Sequence, residues 1–184
     1  MNPPALLLGA WLLAADGAPP PLVNVCWDYG CDRSERLMVP ADAWTAIRRR
    51  LREPPPDPAT ERTRVAAAIA RFETAVGTET GTDADLGGNL AGSGQPGQLD
   101  CIDESRNTTG YLHVLAERGL LHWHAVGERQ KRAPWLFVQH WTAVLVDRTD
   151  GRRWAIDSWH LDNGQRPWVQ TLEAWLDKDD PPEQ

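Results

Sequence analysis

A glycine-rich stretch between residues 78 and 98 divides the chain into two halves with different residue patterns. The stretch carries few large apolar side chains, and a loop this long inside a domain is usually functional. Before it, apolar residues recur at helical spacing; after it, one helical pattern is followed by strand-like segments. Helices that precede strands in this way predict an α+β domain. A flexible surface insertion is the alternative interpretation of the stretch.

Two helices are predicted before the glycine-rich stretch, following an initial strand and turn over residues 22–32. The first helix begins at residues 40–42, where a proline and an aspartate precede apolar residues at helical spacing. The prolines at 54–56 end it. The second helix is predicted over residues 58–76, with Gly77 as its end. Both helices therefore present an apolar face to a core.

One helix and an antiparallel sheet are predicted after the stretch. Asp100 caps a helix over residues 101–118, and a turn at Asp150-Gly151 joins two strands into a hairpin. The predicted strands and a short closing helix cover residues 121–126, 135–146, 153–159 and 172–176. The chain of 184 residues accommodates these elements in a single domain.

Charge and hydropathy exclude two classes of protein. The formal net charge is −7, and no basic cluster extends beyond Arg48-Arg49-Arg50, so we expect no nucleic-acid partner. The apolar run over residues 5–15 is too short for a stable membrane span. Its length suits a secretory signal, which we place in residues 1–18, ahead of a single domain over residues 19–184. A frayed terminus or a buried helix is the alternative.

The three cysteines divide into a close pair and a single residue. Cys26 and Cys31 enclose Trp-Asp-Tyr-Gly, whose last three residues favour a turn that brings the two sulfurs together. In an oxidising compartment the pair forms a disulfide, which leaves Cys101 as a free thiol. We therefore expect a periplasmic or secreted protein. Two reduced, buried cysteines in a cytosolic protein are the alternative.

Cys101, His140 and Asp157 follow one another in the chain order of a thiol hydrolase. A cysteine at a helix N-terminus gains from the helix dipole, which stabilises a thiolate, although Asp100 and Asp103 oppose this effect. His140 can serve as base and acid, and Asp157 interrupts an apolar strand, where an acid needs a partner. The predicted hairpin brings these two residues onto neighbouring strands. A hydrogen-bonded core histidine is the alternative for His140.

Three short motifs surround these residues. Asp100-Cys101-Ile102-Asp103 is similar to the Asp-Cys-Glu-Asp signature of bacterial transglutaminase-like cysteine peptidases. His140 followed by Thr142-Ala143-Val144-Leu145 resembles their His-Ala-Val-Leu strand, and Asp157-Ser158-Trp159 resembles the Asn-Ser-Trp of papain-type proteases. The resemblance implies a papain-like or transglutaminase-like α+β fold. In that fold helices pack on an antiparallel sheet, and the nucleophile lies at a helix N-terminus.

The same resemblance implies an oxyanion-hole glutamine and, in some family members, a calcium ion. Gln95 lies six residues before the cysteine, where papain-like enzymes carry that glutamine, and Gln98 is the competing candidate. The calcium-binding members use acids that flank the cysteine, and here Ile102 replaces one of them. We expect no cofactor. The alternative is calcium on an oxygen-rich set of acids, comprising Asp83, Asp85, Asp100 and Asp103.

Other aromatic and histidine residues carry less specific signals. Of the 10 tryptophans, Trp159 and Trp141 are predicted to lie near the cleft, and most of the others to pack in the core. His122 and His124 share one face of a predicted strand, where a surface or cleft-wall position is favoured over a metal site.

Two functions are compatible with these patterns. The first is an exported enzyme in which Cys101 attacks an amide carbonyl of a protein or peptide and transfers the acyl group to water or an amine. The second is a non-catalytic module on the same fold that binds a peptide or glycan. A depressed thiol pKa for Cys101 favours catalysis, and a raised one favours binding. The sequence pattern does not indicate an oligomeric state.

Overall fold

A computed structural model describes residues 18–135 and 138–177. A hairpin of β1 (Leu22–Trp27) and β2 (Arg33–Met38) comes first, followed by helices α1 (Ala41–Leu51) and α2 (Pro58–Thr80). After the glycine-rich segment come α3 (Cys101–Glu117), β3 (His124–Trp135), β4 (Val138–Asp147), β5 (Arg153–Asp157), β6 (Trp168–Thr171) and α4 (Leu172–Leu176). The predicted α+β class, with helices and antiparallel sheets, is confirmed.

The larger sheet is an antiparallel meander in the order β3-β4-β5-β6. In its centre Ala143 pairs with Ile156, and Val144 pairs with Ala155. Because side chains alternate between the two faces of a strand, the first pair faces the helices and the second faces α4. The sheet is therefore covered on both faces, which creates a dry environment for polar groups near its end.

The main core lies between the helices and the sheet. The predicted apolar stripes of α1 and α2 are buried in it, including Trp44 and Ile47 on α1 and Ile69 and Phe72 on α2. The ring of Phe72 stacks on Tyr111 of α3, with the centroids 4.7 Å apart. Packing of this density fixes α3, whose first residue is Cys101, relative to the rest of the domain.

A reciprocal capping box sets the start of α3. The carboxylate of Asp100 accepts hydrogen bonds from the backbone N–H groups of Ile102 and Asp103, each at 2.9 Å. The Asp103 carboxylate in turn accepts from the N–H of Asp100 at 3.2 Å. Since both ends of the box are satisfied, the helix begins at Cys101 and nowhere earlier.

Several predicted boundaries are wrong. Helix α2 continues past Gly77 to Thr80, because Gly77 keeps helical geometry and Gly81, with φ of 76°, provides the left-handed C-cap. Strand β3 begins at His124 and runs through residues 127–134, a segment rich in charged side chains. The sequence pattern did not predict a strand there, because edge strands often carry such residues.

The C-terminal part also differs in detail. Strand β5 ends at Asp157, two residues before the predicted end at Trp159. The short strand β6 follows Pro167 and was not predicted, since four residues carry too little pattern to detect. The closing helix α4 lies where the sequence placed it.

Two expectations about the N-terminal region have different outcomes. The disulfide between Cys26 and Cys31 is present, with a Cα–Cα distance of 4.7 Å. The predicted signal falls on residues 1–17, outside the described residues, and on Ala18, the first of them. Among the described helices none has the length and apolar content that crossing a membrane requires.

Candidate active site

Cys101 is buried at the first position of α3 and is the free cysteine of the chain. Its Sγ lies 3.7 Å from the backbone oxygen of Gln139, the residue directly before His140. The backbone N–H of Trp141, on the other side of His140, also approaches the sulfur and lowers the thiol pKa. The thiol therefore packs against the segment of β4 that carries the histidine.

His140 and Asp157 form a buried hydrogen-bonded pair. The Nε2 atom of His140 lies 2.6 Å from Oδ2 of Asp157, and both side chains are less than a tenth exposed. The β4–β5 register explains the approach, because continuing it places Asp157 opposite Thr142, on the same face as His140. The other ring nitrogen, Nδ1, is buried and has no hydrogen-bond partner among the described residues.

Two tryptophans complete the surroundings of Asp157. The indole Nε1 of Trp175, on α4, donates to Oδ2 at 2.7 Å, and the backbone N–H of Trp159 donates to Oδ1 at 3.3 Å. Burial would raise the pKa of Asp157, but hydrogen bonding and the charge interaction with His140 outweigh it, so the pKa is lowered. Asp157 is therefore an ionised group at neutral pH, placed directly behind the histidine.

Cys101 and His140 line one cleft of about 410 Å³. Apolar and aromatic side chains form much of its wall, with Tyr29, Ile102 and Trp159 among them. The ring of Trp159 lies 4.9 Å from that of His140, between centroids. The fold thus brings the thiol and the imidazole into a shared, partly enclosed space, with the carboxylate of Asp157 adjoining it.

The cleft does not stabilise a resting thiolate. Burial, together with the negative charges of Asp100 and Asp157, raises the pKa of the Cys101 thiol to about 11. The backbone N–H groups of Trp141 and of Cys101 itself act in the opposite direction without cancelling this rise. At neutral pH the thiol is therefore protonated, and its proton must leave during any attack on a carbonyl.

Neither predicted oxyanion glutamine lines the described cleft. The side-chain amide of Gln95 is exposed and lies 3.5 Å from the Ala91 oxygen. Gln98 is buried, and its Oε1 accepts from Asn89 at 2.8 Å while its Nε2 donates to the Ala84 oxygen at 3.1 Å. Both amides are therefore engaged within the glycine-rich segment.

The two predicted cleft tryptophans occupy different places. Trp159 lines the cleft beside His140. Trp141 is half-buried, with the guanidinium of Arg129 over its ring at 4.9 Å and the ammonium of Lys131 at 5.6 Å. Among the described residues it does not border the cleft.

Three of the four acids considered for calcium accept hydrogen bonds from the backbone. Asp100 and Asp103 accept backbone hydrogen bonds from the disulfide loop, residues 27–31, and burial is the main cause that raises the pKa of Asp103 to about 6. Asp85 is buried and accepts from the N–H of Leu99 at 2.7 Å, whereas Asp83 is exposed. The carboxylate oxygens of Asp85, Asp100 and Asp103 therefore take part in holding the loops around the cleft.

His160 also lies beside the pair formed by His140 and Asp157, although the sequence pattern did not indicate a catalytic role for it. Its Nε2 lies 3.6 Å from Oδ2 of Asp157, and its ring stacks on Trp168 with centroids 4.3 Å apart. Within the described residues His140, Asp157 and His160 are the set able to hold a metal, since one ligand atom from each lies within 4.8 Å of the others. Its position three residues after Asp157 is the signal that could have suggested it.

The expectation for His124 is wrong. This residue is fully buried, and its Nδ1 lies 2.8 Å from Oε2 of Glu61 on α2. Glu61 also accepts backbone hydrogen bonds from His122, Trp123 and His124. These hydrogen bonds link α2 to the start of β3. The pairing of Glu61 with His124 could not be predicted from the sequence, because the two residues lie 63 positions apart.

No family model, curated protein or solved structure matches this chain.

Proposed function

We propose that this chain is a thiol-dependent acyl-transfer enzyme with Cys101 as nucleophile, His140 as base and acid, and Asp157 as orienting group. The observation that carries the proposal is the state of the His140 ring. Its Nε2 is held by Asp157 at 2.6 Å, and its buried Nδ1 has no partner among the described residues while the ring lines the cleft with Cys101. Because Nδ1 makes no hydrogen bond to these residues, it is available to take a proton from the Cys101 thiol.

The first half of the reaction follows from the protonation states. Because the Cys101 thiol is neutral at rest, its proton passes to Nδ1 of His140 as the sulfur attacks the substrate carbonyl. The ionised Asp157 stabilises the imidazolium that forms. His140 then returns the proton to the leaving amine, which breaks the amide bond and leaves the acyl group on sulfur as a thioester.

The second half transfers the acyl group from sulfur. Neutral His140 takes a proton from water or from an amine, which attacks the thioester carbonyl, and returns it to the leaving thiol. The backbone N–H of Cys101 lies close to its own sulfur, where a carbonyl oxygen would develop negative charge. Since Ile102 and Asp103 already donate to Asp100, the Cys101 amide is the donor of the first turn that supports this role.

The acyl group belongs to a protein or peptide, in our proposal. The cleft volume of about 410 Å³ and its apolar wall suit a side chain or short peptide segment next to the reacting carbonyl. We further propose a papain-like or transglutaminase-like arrangement of the fold and an oxidising compartment, periplasmic or extracellular. The Cys26–Cys31 disulfide supports the latter, because such bonds persist chiefly where thiols are oxidised.

Acylation by an activated donor tests the enzyme directly. The protein is mixed with the p-nitrophenyl ester of N-acetylphenylalanine, p-nitrophenol release is followed, and quenched samples are weighed by intact-protein mass spectrometry. We expect an acyl adduct on Cys101 and a kcat/KM at least about 10³-fold above that of Cys101→Ala. Parallel reactions with dansylcadaverine distinguish transfer to an amine from hydrolysis.

Two variants make the result decisive. Cys101→Ser keeps the shape of the nucleophile but lacks the sulfur, and His140→Ala removes the base; both should lose nearly all of the release. The proposal is overturned if wild type releases p-nitrophenol no faster than Cys101→Ala while both proteins show the same thermal unfolding midpoint.

A non-catalytic binding module is the second candidate, and the raised thiol pKa favours it. A thiol with a pKa of about 11 and an acid at position 100 is poorly prepared for attack unless a base acts with it. This candidate expects equal peptide affinity for wild type and Cys101→Ala, measured by isothermal calorimetry, with no turnover by either protein. Turnover that depends on Cys101 excludes it.

A further inference from the structure

The disulfide loop, residues 27–31, has a backbone shape that few sequences adopt. Asp28, Tyr29, Gly30 and Cys31 have successive φ values of 65°, 65°, 71° and 64°. This left-handed region is costly for residues other than glycine, so the surrounding contacts must hold the loop in it. The disulfide between Cys26 and Cys31 closes the loop at both ends.

Hydrogen bonds attach this loop to the helix start that carries the thiol. The N–H groups of Tyr29 and Cys31 donate to the two carboxylate oxygens of Asp103, the former at 2.9 Å. The N–H of Gly30 donates to Oδ2 of Asp100 at 3.0 Å. Successive left-handed residues direct their N–H groups to one side, which is why three amides converge on the acids flanking Cys101.

The same loop also fastens the glycine-rich segment. The N–H of Asp28 donates to the Gln98 oxygen at 3.0 Å, and Oδ1 of Asp28 accepts from the N–H of Gly97 at 3.0 Å. The hydroxyl of Tyr29 donates to the backbone oxygen of Asn89. Tyr29 and Asn89 both line the Cys101 cleft, together with the exposed side chain of Leu90.

We propose that Tyr29 is a specificity-determining residue of the Cys101 cleft, that it selects acyl groups with an apolar neighbour, and that the Cys26–Cys31 disulfide holds it in place. This inference rests on the proposed function, since it names the substrate class of the same site. The ring of Tyr29, with Leu90, Ile102 and Trp159, presents apolar surface beside the thiol. Its hydroxyl is already engaged with Asn89, so the ring face is the part that a substrate meets.

The selectivity is tested with two alkylating reagents that share one electrophile. Iodoacetamide and N-benzyl iodoacetamide differ only in the benzyl group, and both react with the same thiolate. The ratio of their rates therefore cancels any change in the thiol pKa. Labelling of Cys101 is measured at pH 9 by intact mass and peptide mapping, with N-acetylcysteine as the free thiol that defines the intrinsic ratio.

We expect Cys101 to favour the benzyl reagent about tenfold more than N-acetylcysteine does, the size of effect that one well-contacted apolar group supplies. Tyr29→Ala should bring the ratio to within about twofold of the free thiol. Tyr29→Phe keeps the ring and should keep most of the preference. The double variant Cys26→Ser/Cys31→Ser, in which Cys101 is the one remaining cysteine, should lose the preference as Tyr29→Ala does.

Met38→Ala provides the matched control, because Met38 is an exposed apolar residue on the same hairpin, away from the cleft lining. It should leave the ratio unchanged. Each variant is first compared with wild type by circular dichroism and thermal unfolding. If the disulfide variant does not fold, the comparison of Tyr29→Ala with Tyr29→Phe decides the question.

The inference is overturned if Tyr29→Ala retains the wild-type preference, or if Cys101 shows no preference at all. A folded disulfide variant that keeps the preference overturns the part assigned to the disulfide. Since alkylation needs no turnover, absence of acyl transfer with an intact reagent preference would reject the proposed function, and with it the acyl substrate, but would retain Tyr29 as the residue that selects apolar groups at the Cys101 thiol. The reverse result would reject the inference alone.

Discussion

The imidazole of His140 and the carboxylate of Asp157 meet across neighbouring strands at 2.6 Å, and the indole of Trp175 holds the same carboxylate oxygen at 2.7 Å. Because both groups hydrogen-bond to Oδ2, they fix the orientation of the Asp157 carboxylate. The carboxylate in turn fixes the orientation of the His140 ring. Because α4 carries Trp175, the short closing helix takes part in positioning the Asp157 carboxylate and the His140 ring as well as in covering the sheet.

Replacing Asp157 with asparagine tests this arrangement. Asp157→Asn keeps the shape but removes the negative charge that stabilises the imidazolium and sets the ring tautomer. We expect kcat/KM for the activated ester to fall by about 10²–10⁴-fold. Asp150→Asn, in an exposed turn, is the matched control and should leave the activity within about twofold of wild type. Equal activity of wild type and Asp157→Asn would contradict the assigned role.

Much of this site could be predicted because it depends on local patterns. Asp100 before a helical run located the start of the helix at Cys101, the proposed nucleophile. The lone acid in the apolar segment of β5 indicated a buried partner, and the hairpin made His140 the candidate. The pairing of Cys26 with Cys31 followed from their turn chemistry.

The remaining parts depend on contacts between distant residues. Trp175 reaches Asp157 only because α4 folds back over the sheet, and a tryptophan in a short helix gives no such signal. Tyr29 lines the cleft together with Cys101, although it precedes Cys101 by 72 positions in the chain. The raised thiol pKa arises from burial, which a sequence does not specify at the level of one atom.

The second prediction concerns the pH dependence of Cys101 alkylation. An ordinary thiol is mostly ionised above about pH 9, so its rate of reaction with iodoacetamide levels off there. With a pKa of about 11, the Cys101 rate should keep rising about tenfold per pH unit from pH 7 to pH 10. Stopped samples analysed by intact mass give the profile.

Asp100→Asn refines the same measurement. Asparagine also caps helices well, so the helix start should persist while the negative charge beside the sulfur is removed. Since that charge raises the thiol pKa, the variant should react faster than wild type at pH 8. A wild-type profile that levels off below pH 9 would contradict the assigned pKa direction.

The third prediction follows from acids buried between α2, α3 and the loop after β5. Glu73 accepts from Ser158 at 2.7 Å, and burial raises the pKa of Glu73 to about 8. Burial likewise raises the pKa of Asp85 to about 7. Between about pH 4.5 and 8 the folded state therefore binds more protons than the unfolded chain, and stability should fall as the pH rises through this window.

Urea unfolding at pH 5.5 and pH 8.5 measures this loss of stability. Glu73→Gln keeps the hydrogen bond acceptor but cannot ionise, so it should reduce the loss by an amount on the order of 3 kcal/mol. Glu79→Gln, an exposed residue on the same helix, should leave the loss unchanged. Groups whose pKa is lowered in the folded protein, such as Asp157, change protonation below this window. They therefore do not change the expected loss of stability between pH 5.5 and pH 8.5. A wild-type protein equally stable at both pH values would refute the prediction.

The fourth prediction compares the same substitution at two helical glycines. A Cβ on Gly110, in α3, would meet its nearest neighbour, the Asn24 oxygen, at 3.9 Å, so alanine fits without movement. Alanine lowers the entropy cost of the helix, and Gly110→Ala should stabilise the protein by about 0.5–1 kcal/mol. A Cβ on Gly77, in α2, would lie 3.0 Å from Asn163 Oδ1 and 3.1 Å from the backbone of Asp83.

The two alanine variants should therefore move the unfolding midpoint in opposite directions. Gly77→Ala forces the loops of Asn163 and Asp83 apart from α2, and the strain should outweigh the helix gain, with a net loss of about 1–2 kcal/mol. Because the Asn163 loop follows His160, the displacement should also lower esterase activity, whereas Gly110→Ala should not. Thermal unfolding and p-nitrophenol release measure both effects. Stabilisation by Gly77→Ala would show that the helix and the loop are less tightly packed than described.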